Sequence, residues 1–199
     1  MAKKESNLFN MVITLLLITT VSSTSLGFIY QLTKEPKAAA EKAKKNFAIK
    51  AVLSVYDNDP TVEAFEIESH DGGESLTCYP ATQNGELTGI AVRTWTTRGY
   101  SGLIRLMVGF DKTGNIINIS VLEHQETPGL GTKMLDAVFK EQYNGKNPGA
   151  NNLAVKKDGG TIDAITAATI SSRAFSDAVE RAYRSLEKAG KFETRTDLQ

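Results

Sequence analysis

Polar and charged positions vanish near the front of the chain: no charged residue falls between Glu5 and Lys34, and Leu8 to Tyr30 reads LFNMVITLLLITTVSSTSLGFIY. As a helix rising ~1.5 Å per residue this run would span about 34 Å, enough to cross a bilayer. It predicts a transmembrane anchor over residues 8–30 behind a short tail, 1–7. A cleaved signal peptide is the alternative, with Lys3 and Lys4 as its charged start, Met11 to Val21 as its apolar core and Val21-Ser22-Ser23 as a small-residue cleavage site. Phe28, Ile29 and Tyr30 favour retention, because they resume the apolar run after the serines and close it with an interfacial aromatic.

The pattern then changes period. From Lys37 to Tyr56 the chain is rich in Ala and Lys, and Ala40, Ala43, Phe47 and Ala51 recur at near-helical spacing, which predicts a linker helix within 31–56. From Glu86 to His124 three stretches, LTGIAVRTWTT, LIRLMVGF and NIINISVLEH, are rich in β-branched and aromatic residues and separated by RGYSG and DKTGN. That spacing predicts an antiparallel meander. Helical spacing returns from Lys133 to Tyr143 and again in the stripe Phe175, Ala178, Val179, Ala182, Leu186 and Ala189, with a Gly/Pro/Asn-rich loop at 144–160 between them. Strands followed by helices specify an α+β fold, here one domain over 57–199 with an antiparallel β-sheet and flanking helices behind the N-terminal transmembrane helix.

Composition narrows the chemistry. In 199 residues, 23 Lys plus Arg balance 23 Asp plus Glu, so no charge surplus suits a nucleic-acid backbone. Cys78 is the one cysteine, which excludes an internal disulfide and a Cys-rich zinc or iron–sulfur site, and His70 and His124 lie in no metal-ligand spacing. Lys34, Lys37, Lys42, Lys44 and Lys45 outnumber the two lysines ahead of the apolar run. A domain of this length can be translocated regardless of such charges, so charge alone leaves its sidedness open.

Three stretches can carry chemistry. TIDAITAATISS, Thr161 to Ser172, leads into the last amphipathic helix, with Ser171 or Ser172 as its N-cap and Thr169 just ahead of it. A helix N-terminus attracts phosphate, and a hydroxyl there can bond a phosphate or be esterified by one. The small Ala167 and Ala168 let a bulky group lie close to the backbone. A plain capping turn explains the same residues. HQETPGLGTK, His124 to Lys133, combines Pro128 with Gly129 and Gly131 in a shaped loop that a flat ligand can approach, with Glu126 and Thr127 at the rim; the alternative is a strand-to-helix turn capped by Thr132. RGYSGLI places Tyr100 between glycines at a hairpin end. His124 reads as a hydrogen-bonded strand-end residue, and neither a Ser–His–Asp nor a Cys–His arrangement is present.

In this order, and behind a single N-terminal span, the three stretches resemble the FMN-binding G subunit of the Rnf electron-transport complex and its relative, the C subunit of the sodium-pumping NADH:quinone reductase. The most specific element is the flavinylation motif D-x-x-[ST]-G-A-T, whose last Thr carries FMN through a phosphoester. Asp163, Thr166, Ala168 and Thr169 match it, and Ala167 stands where the motif has Gly. ETPGLG, Glu126 to Gly131, matches the flavin-side loop, and GYSG, Gly99 to Gly102, matches the second glycine turn; the length of 199 favours the Rnf type. The resemblance implies a covalent FMN on Thr169, with Thr127, Leu130, Gly131 and Tyr100 contacting the ring. It also implies electron transfer between ferredoxin and NAD coupled to movement of sodium ions or protons, in the company of membrane, iron–sulfur and flavin subunits. A flavin transferase would attach the cofactor outside the cytoplasmic membrane, which puts the domain on the extracytoplasmic side. The other possibilities are a protein of the quinone-reductase type and an anchored binding or assembly module without cofactor, the latter prompted by Ala167.

Overall fold

A computed structural model describes residues 7–53 and 55–192. The chain divides into two compact units, Met1–Ala43 and Lys44–Gln199. From Leu8 onward the first unit lies on helix α1, Leu8–Val52, which is long and apolar enough to cross a membrane and whose residues from Leu8 to Tyr30 are all exposed. The segments expected to form anchor and linker thus lie on one helix that includes Pro36 and ends at Val52 rather than Tyr56.

The second unit is built on one antiparallel sheet in sequence order: β1 (Phe65–Ile67), β2 (Leu76–Gln83), β3 (Glu86–Gly99), β4 (Gly102–Asp111) and β5 (Ile116–His124). The meander expected from hydropathy is β3–β4–β5, and β1 and β2 extend it at one edge. Pro80 sits in β2 opposite Ile90 of β3, beyond the last residue pair that β1 makes with β2. A proline has no N–H to give a second neighbour, so it is tolerated where one side of the strand is open.

Alternation along β3 and β4 sends side chains to two faces, and both are covered. Ile90 and Val92 of β3 and Ile104, Leu106, Val108 and Phe110 of β4 pack with Phe175, Ala178, Val179 and Ala182 of helix α3, which follows after the short helix α2 (Ala137–Lys140) and spans Thr169–Lys188. Ala91 and Met107, on the opposite face, pack with Tyr79 and with Ala48, Ile49 and Val52 from the last turns of α1. Gly109 makes that second contact possible, since a Cβ there would fall 1.9 Å from the carbonyl oxygen of Val52. At about 25 cal/mol per Å² of buried apolar surface, this two-sided core supplies the main stabilisation of the domain.

The helix expected over Lys133 to Tyr143 is broken. It consists of a 3-10 turn Gly131–Leu135, then α2, then a 3-10 turn Glu141–Tyr143, because Asp136 takes an extended backbone at φ −67° and ψ 139° between the first two. Aromatic edge contacts of Phe139 with Tyr143 and Phe175 hold this broken segment against α3.

Candidate functional site

The start of α3 departs from the sequence expectation. Thr169 is its first residue and Ala168, at φ −135° and ψ 44°, occupies the N-cap position with no side-chain cap bond. Ser171 and Ser172 lie inside the first turn and are buried, each engaged elsewhere. The Ser172 hydroxyl accepts the N–H of Ile165 at 2.9 Å and donates to the Ala168 carbonyl at 3.0 Å, which ties the approach turn to the helix. Ala167 turns the chain into α3 with φ +62°, the left-handed region that an L residue occupies at a cost of about 1–2 kcal/mol. That position is the one where the flavinylation motif has Gly, the residue that adopts positive φ without a Cβ clash.

The loop after β5 is also set by glycine. Gly129 has φ +76°, and its N–H donates to the Thr132 hydroxyl at 2.9 Å, so Thr132 stabilises the turn. Glu126 was expected at the rim with Thr127, yet it is only 4% exposed. Its Oε1 accepts the backbone N–H of Ser101 at 3.1 Å, and its Oε2 accepts the Ser171 hydroxyl at 2.7 Å. One carboxylate therefore joins the β3–β4 turn, the post-β5 loop and α3. The glycines of both turns make room for it: a Cβ on Gly99 would lie 2.6 Å from Oε1, and one on Gly131 would lie 2.6 Å from Oε2. His124 is the hydrogen-bonded strand-end residue expected of it, its Nδ1 accepting the Glu126 N–H at 3.3 Å.

These three segments enclose a cleft of about 480 Å³ lined by Tyr100, Glu126, Thr127, Leu130, Gly131 and the stretch 167–171. Of the residues singled out from sequence, it gathers Tyr100, Glu126, Thr127, Leu130, Gly131, Ala168 and Thr169. Asp163 and Thr166 are exposed and do not line it. Asp163 instead pairs with Lys156, Nζ to Oδ1 2.7 Å, and its backbone N–H donates to the Gln142 side chain at 2.7 Å, which fixes the turn that leads toward α3. Ile170 was missed. It is 48% exposed at the cleft and lies off the apolar stripe of α3, and an apolar residue off the buried face of a helix is the signal that could have found it.

The cleft suits a phosphorylated flat ligand. Among the described residues the Thr169 hydroxyl has no hydrogen-bond partner, and no acceptor takes the backbone N–H groups of Thr169, Ile170 or Ser171. Those unpaired donors and the positive end of the α3 dipole favour an anion. Tyr100, Leu130 and Ile170 supply apolar surface. FMN, with a phosphate at one end and an isoalloxazine at the other, fits this donor set.

Comparison with known proteins agrees with the class that the site defines. A family model described as an FMN-binding domain matches residues 99–184, which contain every residue lining the cleft. The G subunit of the ion-translocating oxidoreductase complex of Shewanella piezotolerans is 32% identical over 167 residues, covering 79% of this chain and 79% of that protein. Its counterpart from Photorhabdus laumondii is 33% identical over 178 residues, 85% of each. Among solved structures, NqrC of Shewanella oneidensis aligns with a TM-score of 0.45 at 18% identity, over 69% of this chain and 70% of that one. The chain belongs to the family of G subunits of ion-translocating oxidoreductase complexes, as its three motifs led one to expect.

Proposed function

We propose that this chain is an electron-carrying flavoprotein within a membrane-bound complex that couples electron transfer between ferredoxin and NAD to translocation of sodium ions or protons, with FMN joined to Thr169 through a phosphoester. The observation that carries the reading is the Thr169 hydroxyl, half-buried in the cleft with no partner among the described residues and beside three backbone N–H groups likewise unpaired. A flavin transferase would supply the group from FAD: the Thr169 oxygen bonds to the FMN-side phosphorus, the pyrophosphate link breaks, AMP leaves, and the hydroxyl proton goes to a base on the transferase. The N–H groups at the start of α3 hold the phosphate, and Tyr100, Thr127, Leu130, Gly131 and Ile170 orient the ring. Bound there, the flavin supplies the redox chemistry, and the protein supplies position and electrostatics.

The tether has a physical logic. Micromolar non-covalent binding is worth about −8 kcal/mol, and in a compartment with little free FMN such a cofactor would dissociate by mass action. α1 serves as the membrane anchor, and the domain lies on the extracytoplasmic side, where the transferase acts. The partners are the membrane, iron–sulfur and flavin subunits of the same complex.

A second reading is favoured by Ala167: with a methyl group at φ +62° in place of the motif glycine, the chain would be a poor transferase substrate and would act as an assembly module without cofactor. In-gel fluorescence separates the two. Full-length protein from cells that contain the transferase gives a fluorescent band after denaturing electrophoresis, and Thr169→Ala abolishes it. A dark wild-type band, or a fluorescent Thr169→Ala band, would reject the flavin reading.

A further inference from the structure

We propose that the buried carboxylate of Glu126 sets the reduction potential of a flavin held in the cleft, acting as a negative charge without an ion-pair partner in the cleft wall that holds electrons off the ring. The inference rests on the flavin reading and adds to it the electrostatic part played by one side chain.

Glu126 lines the cleft and is 4% exposed. Both its oxygens meet donors, the Ser101 N–H and the Ser171 O–H, which is the bonding pattern of an ionised carboxylate. Among the described residues no Lys or Arg pairs with it, whereas Asp71, Glu123, Asp158, Asp163 and Asp177 each have a cationic partner. At Gly99 and Gly131 the carboxylate fills the space that a Cβ would take, 2.6 Å from one oxygen at each. A charge fixed in a site of low effective dielectric acts on its neighbours several-fold more strongly than in water. Reduction adds negative charge to the ring unless protons accompany the electrons, so a fixed anion beside the ring favours the oxidised form.

Glu126 also joins three segments of the site, and a purely structural role must be separated from an electrostatic one. Glutamine distinguishes them, because its oxygen can accept the Ser101 N–H and its amide can donate to the Ser171 oxygen while the charge is gone. Ser171→Ala does the reverse, removing a donor that partly neutralises the charge and leaving the charge in place.

The experiment is reductive titration with dithionite and redox dyes of the full-length, flavin-loaded chain in detergent, for wild type, Glu126→Gln and Ser171→Ala. Flavin per chain is read from absorbance in each. Glu126→Gln shifts the equilibrium toward reduced flavin at least about tenfold, or about 30 mV for a two-electron couple, and Ser171→Ala shifts it the other way. Potentials that coincide, or that move in the same direction in both variants, overturn the proposal while the flavin reading stands. If Glu126→Gln does not fold, the direction of the Ser171→Ala shift decides alone. Wild-type protein without flavin is the failure of the flavin reading, and the proposal falls with it.

Discussion

Replacing Ala167 by glycine is expected to stabilise the domain. Ala167 and Asn84 are the non-glycine residues with positive φ among those described, at +62° and +54°. Asparagine tolerates this region through local hydrogen bonding, whereas alanine has a Cβ that crowds the neighbouring carbonyl at a cost of about 1–2 kcal/mol. Ala167→Gly relieves that strain but gives the unfolded chain more freedom, which offsets about 0.4–1 kcal/mol. The middle of each range leaves a net gain of about 0.8 kcal/mol, within limits of about 0 and 1.6 kcal/mol. For a domain of this size, each kcal/mol moves the melting midpoint by about 2–4 °C, so the rise should be about 2–3 °C. Thermal denaturation of the full-length chain in detergent, followed by circular dichroism at a fixed scan rate, reads the difference. A lower midpoint would refute the assignment of strain to this position. The same variant restores the motif glycine, so if the methyl group also hinders the transferase, Ala167→Gly protein should reach full flavin content sooner in a timed transferase reaction.

Other expectations follow from particular contacts. Gly131→Ala would drive a Cβ to within 2.6 Å of a Glu126 oxygen and 2.9 Å of the Ser171 oxygen, and overpacking of this kind costs about 1–3 kcal/mol, measurable as a lower urea midpoint; an unchanged midpoint would contradict the packing described. Burial pushes the Cys78 thiol up to about 12, so it should resist a thiol reagent at pH 8 in the folded protein and react once urea unfolds it; rapid labelling of folded protein would contradict its burial. The Ser69 hydroxyl above all, joined by the Gly73 N–H and Arg181, holds the Asp71 carboxyl well below its usual value against the opposing effect of burial. A depressed folded-state value contributes stability that is present above about pH 4 and is lost as pH falls toward the folded value. Asp71→Asn should therefore flatten the acid side of the curve of urea midpoint against pH, and curves of equal slope between pH 5 and 2 would contradict this.

The elements legible in the sequence were those specified by their own residues. β3, β4 and β5 alternate β-branched and apolar positions over 9 to 14 residues, and the stripe of α3 repeats at helical spacing. β1 is too short to carry a pattern, and Pro80 disguises β2, which forms because β3 offers it a partner. The motif residues of the cleft were legible too. What they do was not legible where it depends on distant contacts. Ser171 and Ser172 have the chemistry of N-caps, but a buried glutamate 45 residues away takes one and the Ile165 N–H takes the other. Likewise the glycines of GYSG and ETPGLG looked like independent turns, and only the fold brings Gly99 and Gly131 to the same carboxylate. Ala167 differs, because its departure from the motif was plain in the sequence while the positive φ that gives it a cost was not.

The most direct test of the account is the mass of one peptide. Trypsin cutting after Lys157 and Arg173 releases DGGTIDAITAATISSR, which holds Thr161, Thr166 and Thr169 together with Ser171 and Ser172. From protein purified out of its native host, this peptide should carry the mass of one FMN less one water, and fragmentation should place the addition on Thr169. An unmodified peptide, or an addition on any of the other four hydroxyls, would contradict the claim that Thr169 holds the redox group.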